Sequence, residues 1–138
     1  MRRQSSLSNP KGGPEVAGRR PLVLVLESDR PIRALVSEWL DMAGYGFMDG
    51  RESGVAWATA DLVLVDVRAP LQAARETIEG LGLAMPHASI IAMSADALVN
   101  GRSAMEAVAR ELGVAAVLVK PFGRDALMQA LERVRTKT

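Results

Sequence analysis

The chain has 138 residues, of which 49% are hydrophobic and 24% charged, a composition typical of a globular protein that buries one core. Its formal net charge of +1 gives no reason to expect a nucleic-acid-binding surface or an acidic substrate. The absence of cysteine and the single histidine exclude disulfides, thiolate catalysis and His- or Cys-rich metal clusters. No apolar run approaches the roughly 18 residues that a membrane span requires, so we expect a cytoplasmic protein without a membrane span.

The first 20 residues differ in composition from the rest of the chain. Met1–Arg20 is rich in Ser, Gly, Pro and Arg and has no apolar period. Such a segment cannot bury enough apolar surface to offset the entropy lost when it is ordered. We therefore predict a disordered tail over residues 1–20 and a single domain over residues 21–138. A basic arm that contacts a partner or a membrane surface is the alternative for the tail.

The domain begins with an apolar run and a helical pattern. Leu22–Leu26 is continuously apolar, which is typical of a parallel strand buried on both faces. Apolar residues then recur at helical spacing, with Asp29 placed to cap the start of the helix and Gly44 at its exit. Further runs of strand character are Phe47–Met48, Leu62–Val65, Ser89–Met93 and Val114–Val119.

Helical patterns separate the later strands. The helix that begins near Leu71 is expected to close at Gly80 and Gly82, since glycine commonly ends helices. The other helical segments are a short one within Ser53–Ala60, one that ends at Leu112, and Leu127–Val134. Strands joined by helices of this length imply right-handed crossovers and a sheet covered on both sides. The pattern therefore predicts a five-stranded, doubly wound parallel α/β domain.

Polar side chains follow four of the predicted strands. They are Glu27, Ser28 and Asp29 after the first strand, Asp66 after the third, Ser94 after the fourth and Lys120 after the fifth. In open α/β sheets, ligands bind in the crevice beyond the carboxyl ends of the strands. Carboxylate oxygens bind Mg²⁺, and a hydroxyl and an ammonium group can contact phosphoryl oxygens. We therefore expect one pocket, suited to a divalent cation and a phosphoryl group, that contains the side chains at positions 27, 66, 94 and 120.

Four segments, taken in order, resemble the receiver domains of two-component response regulators (CheY-like domains). The segment "VLVLESDRPIRALV" is similar to the first strand and helix of that family, and "ADLVLVDVRAP" to its phosphoacceptor strand. The segment "IIAMSADA" is similar to the fourth strand of the family, and "VLVKPF" to its final motif. The resemblance extends from Pro21 to about Val134. It implies a flavodoxin-like fold with the strand order 2-1-3-4-5.

The resemblance also implies a role for each strand-end residue. Asp66 would be the phosphoacceptor, Ser94 and Lys120 would bind the transferred group, and Mg²⁺ would be held by Glu27 and Asp66. The donor would be a histidine kinase or a phosphotransfer protein, and catalysis would be limited to self-phosphorylation and autodephosphorylation. Output would pass to an unknown downstream protein through the surface Ser103–Val134, without direct contact to nucleic acid.

Two positions depart from the family pattern. Ser28 replaces an aspartate that ligates Mg²⁺ directly, so the metal is expected to bind weakly, with Ser28 itself and Asp29 as further candidate ligands. Val117 replaces the aromatic residue whose ring moves on activation in the family. The loop prolines of the family are matched by Pro70 and by Pro121, which is expected to follow a cis peptide bond.

Two other functions stay open at this point. The residues Ser28 and Val117 both favour a degenerate receiver, which binds a protein partner without being phosphorylated. An aspartyl-phosphate phosphatase is a further alternative, but its chemistry places a second aspartate two residues after the nucleophile, where this chain has Arg68. The strand-end acids, hydroxyl and lysine also have ordinary structural roles as helix caps, turn formers and surface ion pairs.

Overall fold

The computed structural model describes residues 18–51, 54–95 and 102–137. In these ranges the strands are β1 (Leu22–Leu26), β2 (Gly46–Asp49), β3 (Leu62–Asp66), β4 (Ser89–Ser94) and β5 (Ala116–Val119). The α-helices are α1 (Arg30–Met42), α2 (Leu71–Ala84), α3 (Arg102–Leu112) and α4 (Arg124–Lys137), and a 3-10 helix spans Gly54–Thr59. None of the helices in the described ranges is long and apolar enough to cross a bilayer.

The five strands form one parallel sheet in the order β2-β1-β3-β4-β5. From β1 the chain moves outward to β2, then returns past β1 to β3 and continues in the opposite direction across the sheet. This reversal creates a crevice at the carboxyl ends of β1 and β3, the position where doubly wound folds bind ligands. The predicted fold class and strand order are both confirmed.

Two buried clusters lie on opposite faces of the sheet. Alternate residues of a strand point to opposite faces, so Leu62 and Leu64 belong to one cluster while Val63 and Val65 belong to the other. Side chains of α1 and α4 complete the first cluster, and side chains of α2 and α3 complete the second. Strand β1, and β3 up to Val65, are continuously apolar because both of their faces are covered.

Helix α1 begins and ends as the sequence predicts. The Asp29 Oδ1 atom accepts a hydrogen bond from the Ile32 N–H at 3.1 Å, a cap that typically contributes about 1 kcal/mol. The helix ends at Met42, and Gly44 follows with a φ of 93°, in the left-handed region that glycine adopts readily. The cap fixes the backbone that connects β1 to α1, which also carries Ser28.

Helix α2 is longer than predicted. It continues to Ala84 through Gly80 and Gly82, so the prediction that it closes at these glycines is wrong. Each glycine inside a helix costs roughly 1 kcal/mol relative to alanine. Ile78 and Leu81 are buried against the sheet, and burying one such side chain contributes about 1.5–3 kcal/mol. Tertiary packing therefore outweighs the local preference of the glycines.

Strand β5 begins later than predicted, at Ala116 instead of Val114. The Val114 N–H donates a hydrogen bond to the Ala109 carbonyl at 3.0 Å, which makes this residue part of the turn after α3. Gly113 occupies the centre of that turn with a φ of 74°. Val114 is nevertheless buried, which explains why it continued the apolar run in the sequence.

Two arginines attach the segment before β1 to the domain. The Arg19 guanidinium donates hydrogen bonds to both carboxylate oxygens of Asp61, at 2.8 and 2.9 Å. Arg20 donates hydrogen bonds to the carbonyl oxygens of Gly44 and Tyr45, at 2.9 and 2.6 Å. Both arginines belong to the segment predicted to be a tail, and through these contacts the end of that segment lies against the domain. The rest of the predicted tail, residues 1–17, lies outside the described residues.

Asp61 connects this segment to the sheet. Its carboxylate also accepts a hydrogen bond from the Leu22 N–H at 2.8 Å, at the start of β1. Burial is the largest single influence on this carboxyl group and raises its pKa. The hydrogen bonds from Arg19 and Leu22, together with the charge of Arg19, outweigh burial and lower the pKa of Asp61 below its ordinary value.

Candidate functional site

The carboxyl ends of β1, β3 and β5 bring three charged side chains together. The Lys120 Nζ atom donates a hydrogen bond to Asp66 Oδ1 at 2.8 Å and another to Glu27 Oε1. The side chains of Lys120, Glu27 and Asp66 are 9%, 2% and 15% exposed. A largely buried ammonium group thus bridges two largely buried carboxylates.

The alternation of side chains along the strands explains this meeting. Glu27 lies two residues after Val25, and Asp66 lies two residues after Leu64; both apolar residues belong to the cluster on the α1 and α4 face. Lys120 likewise lies two residues after Leu118 of β5, which belongs to the same cluster. Because the strand period is two, all three charged side chains continue the same face of the sheet. Parallel strands end at one edge, so these side chains meet there.

Lys120 remains protonated in this setting. Burial is the largest single influence on its ammonium group and lowers its pKa. Hydrogen bonds and charge interactions with Asp66 and Glu27 together outweigh burial, so the pKa of Lys120 is raised above its ordinary value. At neutral pH the lysine therefore supplies one positive charge between the two acidic residues.

Glu27 is held from two further directions. Its Oε2 atom accepts a hydrogen bond from the Asp29 N–H at 2.9 Å, so both carboxylate oxygens have a donor. Arg33 donates a hydrogen bond to the backbone carbonyl of Glu27 at 2.9 Å and pairs with Asp49 on β2 at 3.2 Å. These contacts fix the orientation of Glu27 between the first two strands and α1.

Asp66 has a second cation on its other oxygen. The Arg68 Nε atom lies 3.7 Å from Asp66 Oδ2, while Lys120 contacts Oδ1. The Arg68 side chain is 76% exposed and extends from the loop after β3. From the sequence, this arginine served only as an argument against a phosphatase. Its position two residues after Asp66 was the available signal for a role beside the carboxylate.

An open cavity of about 480 Å³ lies over the site. Its polar lining consists of Glu27, Ser28, Asp29, Asp66, Arg68 and Lys120. A second cavity of about 320 Å³ shares several of these residues and extends toward Asp49 and Arg51 beside β2. Asp66 and Arg68 line both cavities, so the carboxylate can be approached from either one.

Ser94 is buried at the end of β4 and is not among the residues that line this cavity. Ala95, and not Ser94, lines the cavity at the end of β4, and Ser94 is only 1% exposed. In the pairing of β3 with β4, Asp66 lies beside Met93, so Ser94 belongs to the opposite side of the pleat. The structure does place its backbone near the site, because the Lys120 N–H donates a hydrogen bond to the Ser94 carbonyl at 2.9 Å.

The remaining predicted residues occupy the surroundings of the site. Ser28 and Asp29 are exposed and line the cavity. Val117 is buried in the cluster on the α2 and α3 face. Pro70 is exposed and lies at the cap position of α2. The peptide bond before Pro121 is cis, as the resemblance implied, and this proline lines the cavity.

The described residues do not fit a resident divalent cation. Mg²⁺ prefers oxygen ligands in an octahedral arrangement and usually needs carboxylates to hold it. Both Glu27 oxygens already accept hydrogen bonds, one Asp29 oxygen caps α1, and Ser28 brings no charge. Within residues 18–51, 54–95 and 102–137, no group of three or more Asp, Glu, His or Cys side chains is arranged to hold a metal.

Several solved structures of response regulators are similar to this chain. The chemotaxis protein CheY4 of Vibrio cholerae is 25% identical, with a TM-score of 0.63 over 83% of this chain and 98% of CheY4. A response regulator from Thermotoga maritima is 18% identical, with a TM-score of 0.65 over 85% of this chain and 98% of its own. A CheY-like receiver domain protein from Methanospirillum hungatei is 16% identical, with a TM-score of 0.65 over 86% of this chain and 95% of that protein.

The chain therefore has the receiver-domain fold of CheY-like response regulators, and the resemblance predicted from its four segments is confirmed. No protein-family model and no curated protein sequence matches the chain.

Proposed function

We propose that this protein is a response regulator receiver that accepts a phosphoryl group on Asp66 and signals through a protein partner. The observation that supports this proposal is the position of Asp66, whose carboxylate lines an open cavity with the Lys120 ammonium 2.8 Å away. The carboxylate is a nucleophile, and a preorganised ammonium stabilises the negative charge of an incoming phosphoryl group. The donor would be the phosphohistidine of a histidine kinase or of a phosphotransfer protein.

The transfer requires one bond to form and one to break. An Asp66 carboxylate oxygen forms a bond to phosphorus while the P–N bond of the phosphohistidine breaks, and the imidazole nitrogen keeps the electron pair. The acyl phosphate that results carries more negative charge than the carboxylate did. Lys120 would then turn from the carboxylate oxygen toward the phosphoryl oxygens, which weakens its contact with Glu27.

Movement of Lys120 would transmit a structural change from the site to the surface formed by α3, β5 and α4. Its backbone N–H is bonded to the Ser94 carbonyl, so a shift of Lys120 acts directly on the end of β4. The Ser94 hydroxyl is buried beside the site, and a movement of the end of β4 would bring it toward a phosphoryl group on Asp66. The surface formed by α3, β5 and α4 is where such a rearrangement would reach a downstream protein.

Chemical phosphorylation tests this proposal. The protein is incubated with acetyl phosphate or phosphoramidate, with and without Mg²⁺, and its intact mass is measured. We expect the addition of one phosphoryl group to the wild type and none to Asp66→Asn. Asp41→Asn is the matched control, because Asp41 is an exposed aspartate at the far end of α1. A folded wild-type protein that gains no mass under any condition would refute the proposal.

A degenerate receiver is the second candidate function, and two observations favour it. Ser28 removes a charge from the acidic edge, and Lys120 already neutralises part of the charge of Glu27 and Asp66. Such a module would bind its partner through the same fold regardless of phosphate. Exposure to beryllofluoride, a phosphoryl mimic, separates the two functions: a receiver that responds shifts the amide NMR signals around Asp66, whereas a degenerate one leaves them unchanged.

A further inference from the structure

Among the described residues, those that line the two cavities together with their ion-pair partners comprise four carboxylates and four cations. The carboxylates that line the two cavities are Glu27, Asp29, Asp49 and Asp66. The cations are Arg51, Arg68 and Lys120, which line the cavities, and Arg33, which lines neither cavity but pairs with Asp49. Surplus negative charge favours the binding of a divalent cation, and the described residues at this edge have equal numbers of negative and positive side chains. An aspartate in the place of Ser28 would have left one carboxylate in excess.

Each of these charges also has a specific partner. Lys120 bridges Glu27 and Asp66, and Arg33 and Arg51 both pair with Asp49, at 3.2 and 3.4 Å. The remaining carboxylate, that of Asp29, caps the first turn of α1, where the helix dipole favours negative charge. A divalent ion between Glu27 and Asp66 would have to displace the lysine ammonium or lie directly beside it.

Of the two cations beside Asp66, Arg68 is more exposed and lies farther from the carboxylate than Lys120 does. Its Nε atom lies 3.7 Å from Asp66 Oδ2, and its side chain is mostly exposed, so little holds it in its present position. A guanidinium group presents several donors in one plane and suits the oxygens of a phosphoryl group better than a single point charge does. Lys120 and Arg68 approach Asp66 on different carboxylate oxygens, so they are placed to bracket a group bound there.

We infer that Asp66 and its two cations form a metal-independent site for a phosphoryl group, in which Arg68 supplies the positive charge that a divalent cation would otherwise bring. This inference rests on the proposed function, since it concerns the same carboxylate. It assigns Arg68 as a residue that contacts the transferred group. It also states that Mg²⁺ has no specific site at this edge of the wild-type protein.

The first test compares phosphorylation by phosphoramidate in EDTA with phosphorylation in millimolar Mg²⁺. We expect the wild type to be labelled to the same extent in both. Arg68→Gln should lower the initial rate in EDTA by about tenfold, because a charge-assisted contact to the transferred oxygens is lost. Arg110→Gln is the matched control, since Arg110 is an exposed arginine in the last turn of α3 and away from the site. Labelling that occurs only with Mg²⁺, or that is unaffected by Arg68→Gln, overturns the inference.

The second test measures metal binding directly, by a Mg²⁺ titration monitored through amide NMR signals. We expect no saturable shift at residues 27–29 and 66–68 of the wild type in the millimolar range. Ser28→Asp should create a saturable response, because restoring a carboxylate ligand raises affinity by at least about tenfold. Saturable binding to the wild type overturns the inference even if phosphorylation succeeds. A wild type that is never labelled refutes the proposed function and the role of Arg68, and the titration alone then decides whether the edge excludes the metal.

Discussion

Replacing Lys120 by methionine should destabilise the domain strongly. Methionine has a similar length but no charge, so Lys120→Met leaves the carboxylates of Glu27 and Asp66 close together and without their shared partner. Removing one member of a buried ion pair costs about 3–5 kcal/mol, because the remaining charge is left uncompensated. Asp66 is partly exposed and keeps Arg68, so we expect the lower end, about 3 kcal/mol. This is a large fraction of the roughly 5–15 kcal/mol by which domains are stable.

Urea unfolding at pH 7, followed by circular dichroism, measures this loss, and a double-mutant cycle assigns it. Adding Glu27→Gln to Lys120→Met should recover at least about 1 kcal/mol, since one of the two unpaired charges is gone. Arg110→Met controls for the loss of a surface cation and should stay within about 0.5 kcal/mol of the wild type.

The refuting result is a small effect. If Lys120→Met costs less than about 1 kcal/mol at pH 7 with an unchanged denaturant slope, the lysine does not compensate two buried carboxylates. The same conclusion follows if Glu27→Gln affects stability equally with and without Lys120, since independent residues show no coupling.

Three further predictions concern the rest of the domain. Because its pKa is lowered by folding, Asp61 stabilises the protein above the ordinary pKa of an aspartate, and this contribution is lost as the pH falls through the folded value. Asp61→Asn should therefore cost about 1 kcal/mol in urea unfolding at pH 7 and nothing in strong acid; a difference that persists in acid would contradict this. Gly80→Ala, in open space inside α2, should raise stability by about 0.5–1 kcal/mol, whereas Gly113→Ala at a φ of 74° should lower it by about 1 kcal/mol in the same assay. Leu64→Ala, in the buried centre of β3, should cost about 2–5 kcal/mol, and a smaller loss would mean that the core closes around the cavity.

The sequence predicted the sheet well because its strands are buried on both faces. A parallel strand covered by helices must be apolar at every position, so Leu22–Leu26 and Leu62–Val65 stand out as continuous runs with polar residues directly after them. Parallel strands also end at one edge, which was enough to expect Glu27, Asp66 and Lys120 near each other. Local capping signals were reliable where packing agreed with them, as at Asp29.

Features that depend on tertiary structure were not predictable in the same way. The end of α2 was misplaced because the burial of Ile78 and Leu81 outweighs the glycine signals, and burial depends on where the helix lies on the sheet. The position of Ser94 depends on the register between β3 and β4, which no single strand reveals. The contact of Arg68 with Asp66 depends on the path of the loop after β3; Pro70 indicated a loop there but not where the Arg68 side chain lies.

The contact between Lys120 and Glu27 joins the residue after the first strand of the domain to the residue after the last strand. Glu27 and Lys120 are 93 positions apart in the chain, with the whole sheet folded between them. Closing a loop of this length costs more entropy than forming a local contact, so we expect the bridge to form late in folding. An anion that competes for this ammonium would weaken its contacts with Glu27 and Asp66, which link the ends of β1, β3 and β5 at this edge of the sheet.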